Sequence, residues 1–511
     1  MKNLLVPAIA ISFVQAINAQ SIQLVEATIA DIQSALLAGE TSCEDVVAGY
    51  IDRIETYDQA LGINAIVEIN ANAMAVARET DRQLGQSEPM PELFCAPLLI
   101  KDNFDTHDMV TTGGSIALKD SVPPDDAFMI RKLREAGAIV LAKTNMAEWA
   151  FSPRQTISSS YGRTANAYDR NYVPAGSSGG TASGVAASFG VAGMGSDTGN
   201  SIRGPSSHLA LFGIRSTLGL TSRDGVIPLA FDRDIAGPMT RTVEDGARLF
   251  NVIAGHDPAD SLSVPDKRET NYLEFLDAEG LEGKRLGVFR ALVDHDDADE
   301  EIKAIFFRAV QELQAAGATI VDPFEIADFT ELSDAIGGCP RFRYDLYQYL
   351  QTLDNPPFLD VNELFAAGQY APASEPAFEY FSSGPLETPP DEWDEPCPTW
   401  PNHPQRNQLL AKTVSAMNAF NVDAIVFPTW SNPPAHIDRG REEYNGDNNQ
   451  LLVPDAGLPA VTVPMGFLEM GLPVGLQIVG RPFTEGLLIQ LAYAYEQSTQ
   501  HRAPPDLDLE K

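Results

Sequence analysis

Basic residues are scarce in this chain. Lys and Arg number 35 against 71 Asp and Glu among 511 residues, a formal net charge of −36. A nucleic-acid surface works by displacing counterions from phosphates along a basic stripe, which this balance disfavours. The acid is spread out, and a dense run such as Asp294 to Glu301 reads as the solvated start of a helix, not as a metal site. Histidine is also rare, with seven scattered residues, no His-Glu-x-x-His pair and no Gly-Lys-Ser/Thr phosphate loop. The run GMGSDTG, Gly193 to Gly199, imitates a dinucleotide fingerprint, but its third glycine falls one residue late and no acidic partner follows. No metal and no cofactor is expected.

Long apolar runs are missing too. The stretch from Leu4 to Val14 is broken by Pro7 and falls short of the ~18 residues that a membrane-crossing helix needs. With Lys2 before it and Ala19 after it, it reads as a secretory signal peptide over residues 1–19. Residues 20–511 would then be the mature chain, secreted or periplasmic, with no stable membrane span. Only four cysteines occur, Cys43, Cys95, Cys339 and Cys397, without the Cys-x-x-Cys spacing of a zinc ribbon or dithiol site. Export would permit one or two disulfides, and the three full pairings stay open beside a set of buried free thiols. A Cys339–Cys397 bridge would staple the least regular region. No Asn-x-Ser/Thr sequon is present, so N-glycosylation is not expected.

What the chain does have is alternation. Residues 28–37 and 42–57 carry helical patterns, the second opening on a capping box of Ser42 and Asp45. An apolar run from Phe94 ends in Lys101 and Asp102, and the pattern repeats with a helix over 127–136 and a strand over 138–142 that ends at Lys143. Strands at 285–289 and 319–321 flank a helix at 300–316, and apolar strands return after Asp423. Length alone suggests about three domains. No linker separates them, however, so the expectation is one α/β/α domain with a large twisted mixed sheet, much of it parallel and covered by helices. Residues 340–410, rich in proline and aromatics, break the rhythm and read as an irregular cover over the substrate site, with Phe342, Tyr344, Tyr347 and Tyr349 as aromatic walls or, equally, as a packed helix face.

Two stretches carry chemistry, PAGSSGGTASG (Pro174 to Gly184) and GSDTGNSIRGP (Gly195 to Pro205). Glycines between packed apolar flanks mean close backbone approach, which suits an anion site built from backbone N–H groups. GSSGG also fits a Gly-x-Ser-x-Gly nucleophile elbow centred on Ser178, but Pro174 stands where the preceding strand should be, and neither His436 nor His501 has the setting of a catalytic histidine.

Taken with Lys101-Asp102, and with GAIVLAKTNMAEWAF, FGIRSTLGLTSRDGVIP, AGPMTRTVEDGARLFNVIAG, DAIVFPT and AGLPAVTVPMG in that order, the two stretches resemble the amidase signature family across nearly the whole mature chain. The resemblance implies Ser201 as nucleophile, Ser177 as proton relay after a cis peptide bond, and Lys101 as base, with Lys143 a decoy. Ser177 and Ser201 stand 24 positions apart, as in that family. It implies an oxyanion hole from the backbone of Thr198, Gly199, Asn200 and Ser201, with Asp197 and Arg203 paired in support and Ser178 beside them. The family commonly has Gly-Gly-Ser where this chain has Gly199-Asn200-Ser201, and an asparagine there tolerates unusual backbone angles while narrowing or polarising the acyl site. The expected activity is a secreted, cofactor-independent amidase cleaving a small-molecule amide. The alternatives are the amidase subunit of a glutamine-dependent tRNA amidotransferase, or an α/β-hydrolase esterase using Ser178.

Overall fold

The computed structural model describes residues 22–509 apart from 87 and 88. The signal peptide expected over residues 1–19 lies outside the described residues. In chain order the strands are β1 (Ile66–Ile69), β2 (Ala96–Lys101), β3 (Ala138–Thr144), β4 (Ile157–Ser158), β5 (Gly162–Arg163), β6 (Ala192–Asp197) and β7 (Phe212–Arg215). They continue with β8 (Ile235–Thr240), β9 (Arg285–Phe289), β10 (Thr319–Phe324), β11 (Ala424–Pro428), β12 (Ala460–Phe467) and β13 (Pro473–Val479). Eleven of these make one sheet in the order β1-β3-β2-β6-β8-β7-β12-β13-β11-β9-β10, while β4 and β5 pair separately. Helices cover this single mixed α/β sheet.

The sheet is mixed, as expected, with its parallel pairings confined to the two flanks. Only β3/β2, β2/β6, β11/β9 and β9/β10 are parallel, and the centre of the sheet is antiparallel. Central strands such as β6, β8 and β13 are buried along their whole length. A strand buried on both faces reads as one apolar run whichever way its neighbours point, so hydrophobic pattern could not tell the two apart. Between β12 and β13 the direction is set by a short reversal in which Gly471 takes φ +83°, a conformation that favours glycine.

Local signals place the helices well. Thr28 caps Ile29–Ala38 with the reciprocal Asp31 contact of a capping box. Ser42 caps Cys43–Tyr57 by accepting from the Asp45 N–H, but there the carboxylate accepts from the Ser42 hydroxyl (2.7 Å), so the full box expected at Ser42 forms one helix earlier. Cys43, in the first turn, is bridged to Cys95 just before β2. The second bridge joins Cys339 to Cys397.

Residues 340–410 are more regular than their composition suggests. They contain helices Phe342–Leu350, Val361–Ala366 and Glu375–Phe381 and the start of Pro404–Ala419. Trp149, Phe151, Phe342, Leu346, Phe358 and Phe378 form a second, smaller core beneath them. Phe342 is therefore packing, against the rings of Trp149 and Phe151. Tyr349 is buried and donates to Asp105 Oδ1 (2.7 Å), and Tyr347 reaches Glu387.

Helix Gly179–Ala186 lies directly on the sheet, and a methyl group on Gly180 would land on the backbone of Asn145. Overpacking against backbone costs about 1–3 kcal/mol. Gly180→Ala is expected to lower the thermal unfolding midpoint by several degrees, and an unchanged midpoint would show that the helix can lift from the sheet without cost.

Candidate active site

The parallel pairing of β2 with β6 aligns Leu99 with Gly193 and Ile100 with Met194. Lys101, ending β2, and Ser196 and Asp197, ending β6, consequently meet at the same carboxyl edge of the sheet, where α/β proteins gather ligands. Lys101 is fully buried. Its Nζ lies 2.6 Å from Ser177 Oγ and 2.8 Å from Ser196 Oγ. Burial lowers its pKa to about 7, against the opposing pull of Asp197 and Asp234. Ser177 follows a cis peptide bond from Gly176, and a methyl on Gly176 would meet the carbonyl oxygens of Ser152 and Gln155.

The loop after β6 is held from below. Asp197 receives Arg203 Nε at 3.1 Å and Arg215 Nη1 at 2.9 Å, and all three side chains are sealed from solvent. Burial alone would raise the Asp197 pKa, but the two guanidiniums overcome it and hold the carboxylate well below its usual range. Asp197 Oδ2 also accepts from Ile202 N (3.1 Å), while Arg203 donates to Gly199 O (2.7 Å), Asn449 O (3.1 Å) and Gln477 Oε1 (2.9 Å). Thr198 is anchored through its hydroxyl to Asp234. With the loop's side chains and carbonyls so occupied, the backbone N–H groups of Thr198, Gly199, Asn200 and Ser201 engage no acceptor among the described residues.

Thr198, Gly199, Asn200 and Ser201 line a cavity of about 220 Å³ together with Phe151, Leu229, Arg233, Tyr380, Phe381 and the Cys339–Cys397 bridge. The 340–410 segment thus does border the site. The aromatic walls are Phe151, Tyr380 and Phe381, not the four residues expected: Tyr344 lines a separate pocket, and the helix Phe342–Leu350 turns its other rings elsewhere. Ser201 Oγ rests on Asn200 Oδ1 at 3.3 Å, not on Ser177. Asn200 Nδ2 donates to Pro153 O (3.0 Å), and Asn200 does not use the left-handed backbone region, so its side chain, not its backbone tolerance, explains its place.

The competing candidates fall away on contacts. Ser178 precedes helix Gly179–Ala186 rather than following a strand, and its hydroxyl donates to Ser196 O (3.2 Å). His436 packs against Tyr172, and His501 pairs with Glu312. Lys143 lies inside β3, which runs on to Thr144, and is spent on Phe104 O (2.7 Å) and Thr111 Oγ1 (2.8 Å). A Ser–His–Asp geometry occurs at Ser431, His295 and Asp297, with distances of 2.7 and 2.6 Å, but the Ser431 hydroxyl is buried and also engaged by Gly446 O. His107, Asp108 and Asp126 cluster closely enough for a cation, yet Arg134 pairs with both carboxylates. Sequence reading missed Ser196, Arg215 and Asp234. Ser196 was legible in principle as the residue one strand over from Lys101, whereas Arg215 ends β7 and Asp234 immediately precedes β8, strands whose neighbours only the topology decides.

Comparison with known proteins agrees over nearly the full chain. The family model described as Amidase matches residues 45–489. A glutamyl-tRNA(Gln) amidotransferase subunit of Desulforapulum autotrophicum is 32% identical over 501 residues, covering 93% of this chain and 98% of the relative. The corresponding subunit of Thermosynechococcus vestitus is 33% identical, covering 94% and 99%. Among solved structures, native peptide amidase from Stenotrophomonas maltophilia superposes with a TM-score of 0.81 at 34% identity, covering 94% of this chain and 99% of that one. An amidase family protein from Bacillus anthracis gives 0.82 at 30%, covering 96% of each.

Removing one charge from a buried ion cluster costs about 3–5 kcal/mol, because its partners stay buried and unmatched. Asp197→Asn should therefore lower the unfolding midpoint markedly and loosen residues 198–202, read as faster amide hydrogen exchange there. A stable variant with unchanged exchange would show that the loop is held by other contacts.

Proposed function

We propose, from the premise that this chain belongs to the Amidase family and acts on carbon–nitrogen amide bonds, that it is a self-sufficient hydrolase of small amides working through an acyl-enzyme on Ser201. The observation that carries the reading is the buried Lys101–Ser177 contact of 2.6 Å, where burial lowers the lysine pKa to about 7. A neutral Nζ has a lone pair for the Ser177 proton, and the Ser177 oxygen can then take the proton of Ser201 once the Ser201 hydroxyl rotates off Asn200. Attack on the amide carbonyl develops an oxyanion that the free N–H groups of residues 198–201 are placed to receive, each such donor contributing about 2.7–4 kcal/mol in serine hydrolases. The relay returns the proton to the leaving nitrogen, and water repeats the cycle on the ester.

Two features support an exported enzyme that needs no nucleic acid. All four cysteines are bridged, as suits an oxidising compartment, and the net charge of −36 opposes a phosphate backbone. Among the described residues no helix is long and apolar enough to cross a membrane. A second reading is favoured by the curated relatives. At 32–33% identity over most of the chain they are amidotransferase subunits, and on that reading the chain would release ammonia from glutamine for a partner acting on tRNA. The purified chain alone, offered aryl, aliphatic and peptide amides and glutamine, decides between them. Turnover of simple amides without a partner supports the first reading, and activity on glutamine only, dependent on added subunits, sinks it.

The relay predicts a selective loss. An amine leaves only when protonated, while an ester with a good leaving group needs only the activation of Ser201. Lys101→Ala should cut amide hydrolysis by several orders of magnitude and ester hydrolysis distinctly less, whereas Ser201→Ala should abolish both and remove the adduct of a serine-directed inhibitor. Equal losses on amide and ester in the lysine variant would remove the proton-delivery role. Because only the free amine accepts a proton, kcat/KM of the wild type should rise with pH through about 7 and level off above it. A limb that rises only near the ordinary lysine value would show that Lys101 is charged in the resting enzyme.

A further inference from the structure

Gln450 lines the same cavity as Ser201, and its side chain is engaged at one end only. It closes the turn Asn448–Gln450, which Arg203 fixes by donating to Asn449 O at 3.1 Å. Its Nε2 donates to Tyr444 Oη (2.7 Å) and to Asp447 Oδ2 (2.9 Å), so both amide hydrogens are spent. Burial pushes the Asp447 carboxyl up to about 6, which leaves it ionised and able only to accept at neutral pH. Tyr444 gives its own hydrogen to Asp447 Oδ2 (2.7 Å), so towards Gln450 its oxygen also accepts. These two acceptors decide which way the side-chain amide faces. Its nitrogen turns to Asp447, and Oε1 meets no donor among the described residues without being sealed from solvent. A methyl group on Gly199 would fall 3.0 Å from Oε1, so this acceptor lies against the loop that carries Ser201.

We propose that Gln450 positions the substrate by accepting, through Oε1, a hydrogen of the scissile amide nitrogen, so that the site prefers acyl compounds with an N–H at the bond to be cut over analogues that lack one. The inference rests on the hydrolase reading above and deepens it. The N–H groups of residues 198–201 are placed for the carbonyl oxygen, which Oε1 itself repels, and the nitrogen is the one atom of a carboxamide group that carries hydrogen. A nitrogen held by its hydrogen keeps its lone pair in a fixed direction, which proton delivery to it requires. As the relay's proton arrives and the C–N bond breaks with its electron pair going to nitrogen, the hydrogens there become ammonium-like. Their bond to Oε1 then strengthens. The interaction is larger in the transition state than in the bound substrate, and its removal falls on kcat more than on KM.

The test compares 3-phenylpropanamide with methyl 3-phenylpropanoate, which shares the acyl group and also needs a proton on its leaving group but has no N–H to offer. Gln450→Met should lose about tenfold or more in kcat/KM on the amide, chiefly in kcat, and less than about twofold on the ester. Its pH limb near 7 should stay where it is in the wild type. Asp447→Asn puts a donor where Gln450 now finds an acceptor, which turns the Gln450 amide over and presents Nε2 to the cavity. That variant should show the same selective loss with Gln450 itself intact, and it guards against misfolding of the methionine variant. Equal losses on the two compounds, or no loss on the amide in either variant, would overturn the proposal. A displaced pH limb in Gln450→Met would also overturn it, by assigning the effect to the relay. If the wild type alone cleaves neither compound but hydrolyses glutamine with added subunits, the self-sufficient reading fails and the inference falls with it, whereas a wild type that cleaves both beside variants with no selective loss sinks the inference alone.

Discussion

Everything at the carboxyl edge of β2 and β6 hangs on one carboxylate, Asp197, clamped between Arg203 and Arg215 out of reach of solvent. Three buried charges are expensive unless each is met by a partner and by further hydrogen bonds. Here they are: Arg203 spends its other donors on Gly199 O, Gln477 and Asn449 O, and Arg215 reaches the Arg233 carbonyl. The cluster ties the end of β6, the start of helix Arg203–His208, strand β7 and the segment near Asn449 into one body. The loop between Asp197 and Arg203 has little freedom left, and residues 198–201, whose N–H groups engage no acceptor among the described residues, line the cavity.

The same carboxylate bears on Lys101. Asp197 and Asp234 both favour a charged lysine, yet desolvation dominates and lowers its pKa to about 7. Asp234 is itself pushed up to about 6 by burial, so its own charge is only partly present in mildly acidic solution. Tight packing of small residues makes this desolvation possible. Gly176, Gly180 and Gly193 have no room for a methyl group, and Lys101 among the strand ends and loops beside them is fully buried.

The segment over the site follows a different logic. Residues 340–410 pack on their own small core, are pinned by the Cys339–Cys397 bridge, and lend Tyr380, Phe381 and the bridge itself to the cavity wall. Because Phe151 stacks on Phe381 at 5.2 Å, the wall joins the catalytic half of the chain to this covering segment.

Composition and alternation were enough to read a single α/β domain from the sequence, and the ordered motifs that resemble the amidase signature family were enough to mark Lys101, Ser177 and Ser201 as the residues to examine. Those signals are local: a strand ending in lysine and a glycine at a close approach leave their trace in adjacent letters. Strand direction left none, because buried strands look alike whether parallel or antiparallel. Nor did the partners of Asp197, for Arg215 and Asp234 arrive from strand β7 and the approach to strand β8, whose neighbours depend on chain reversals many residues away.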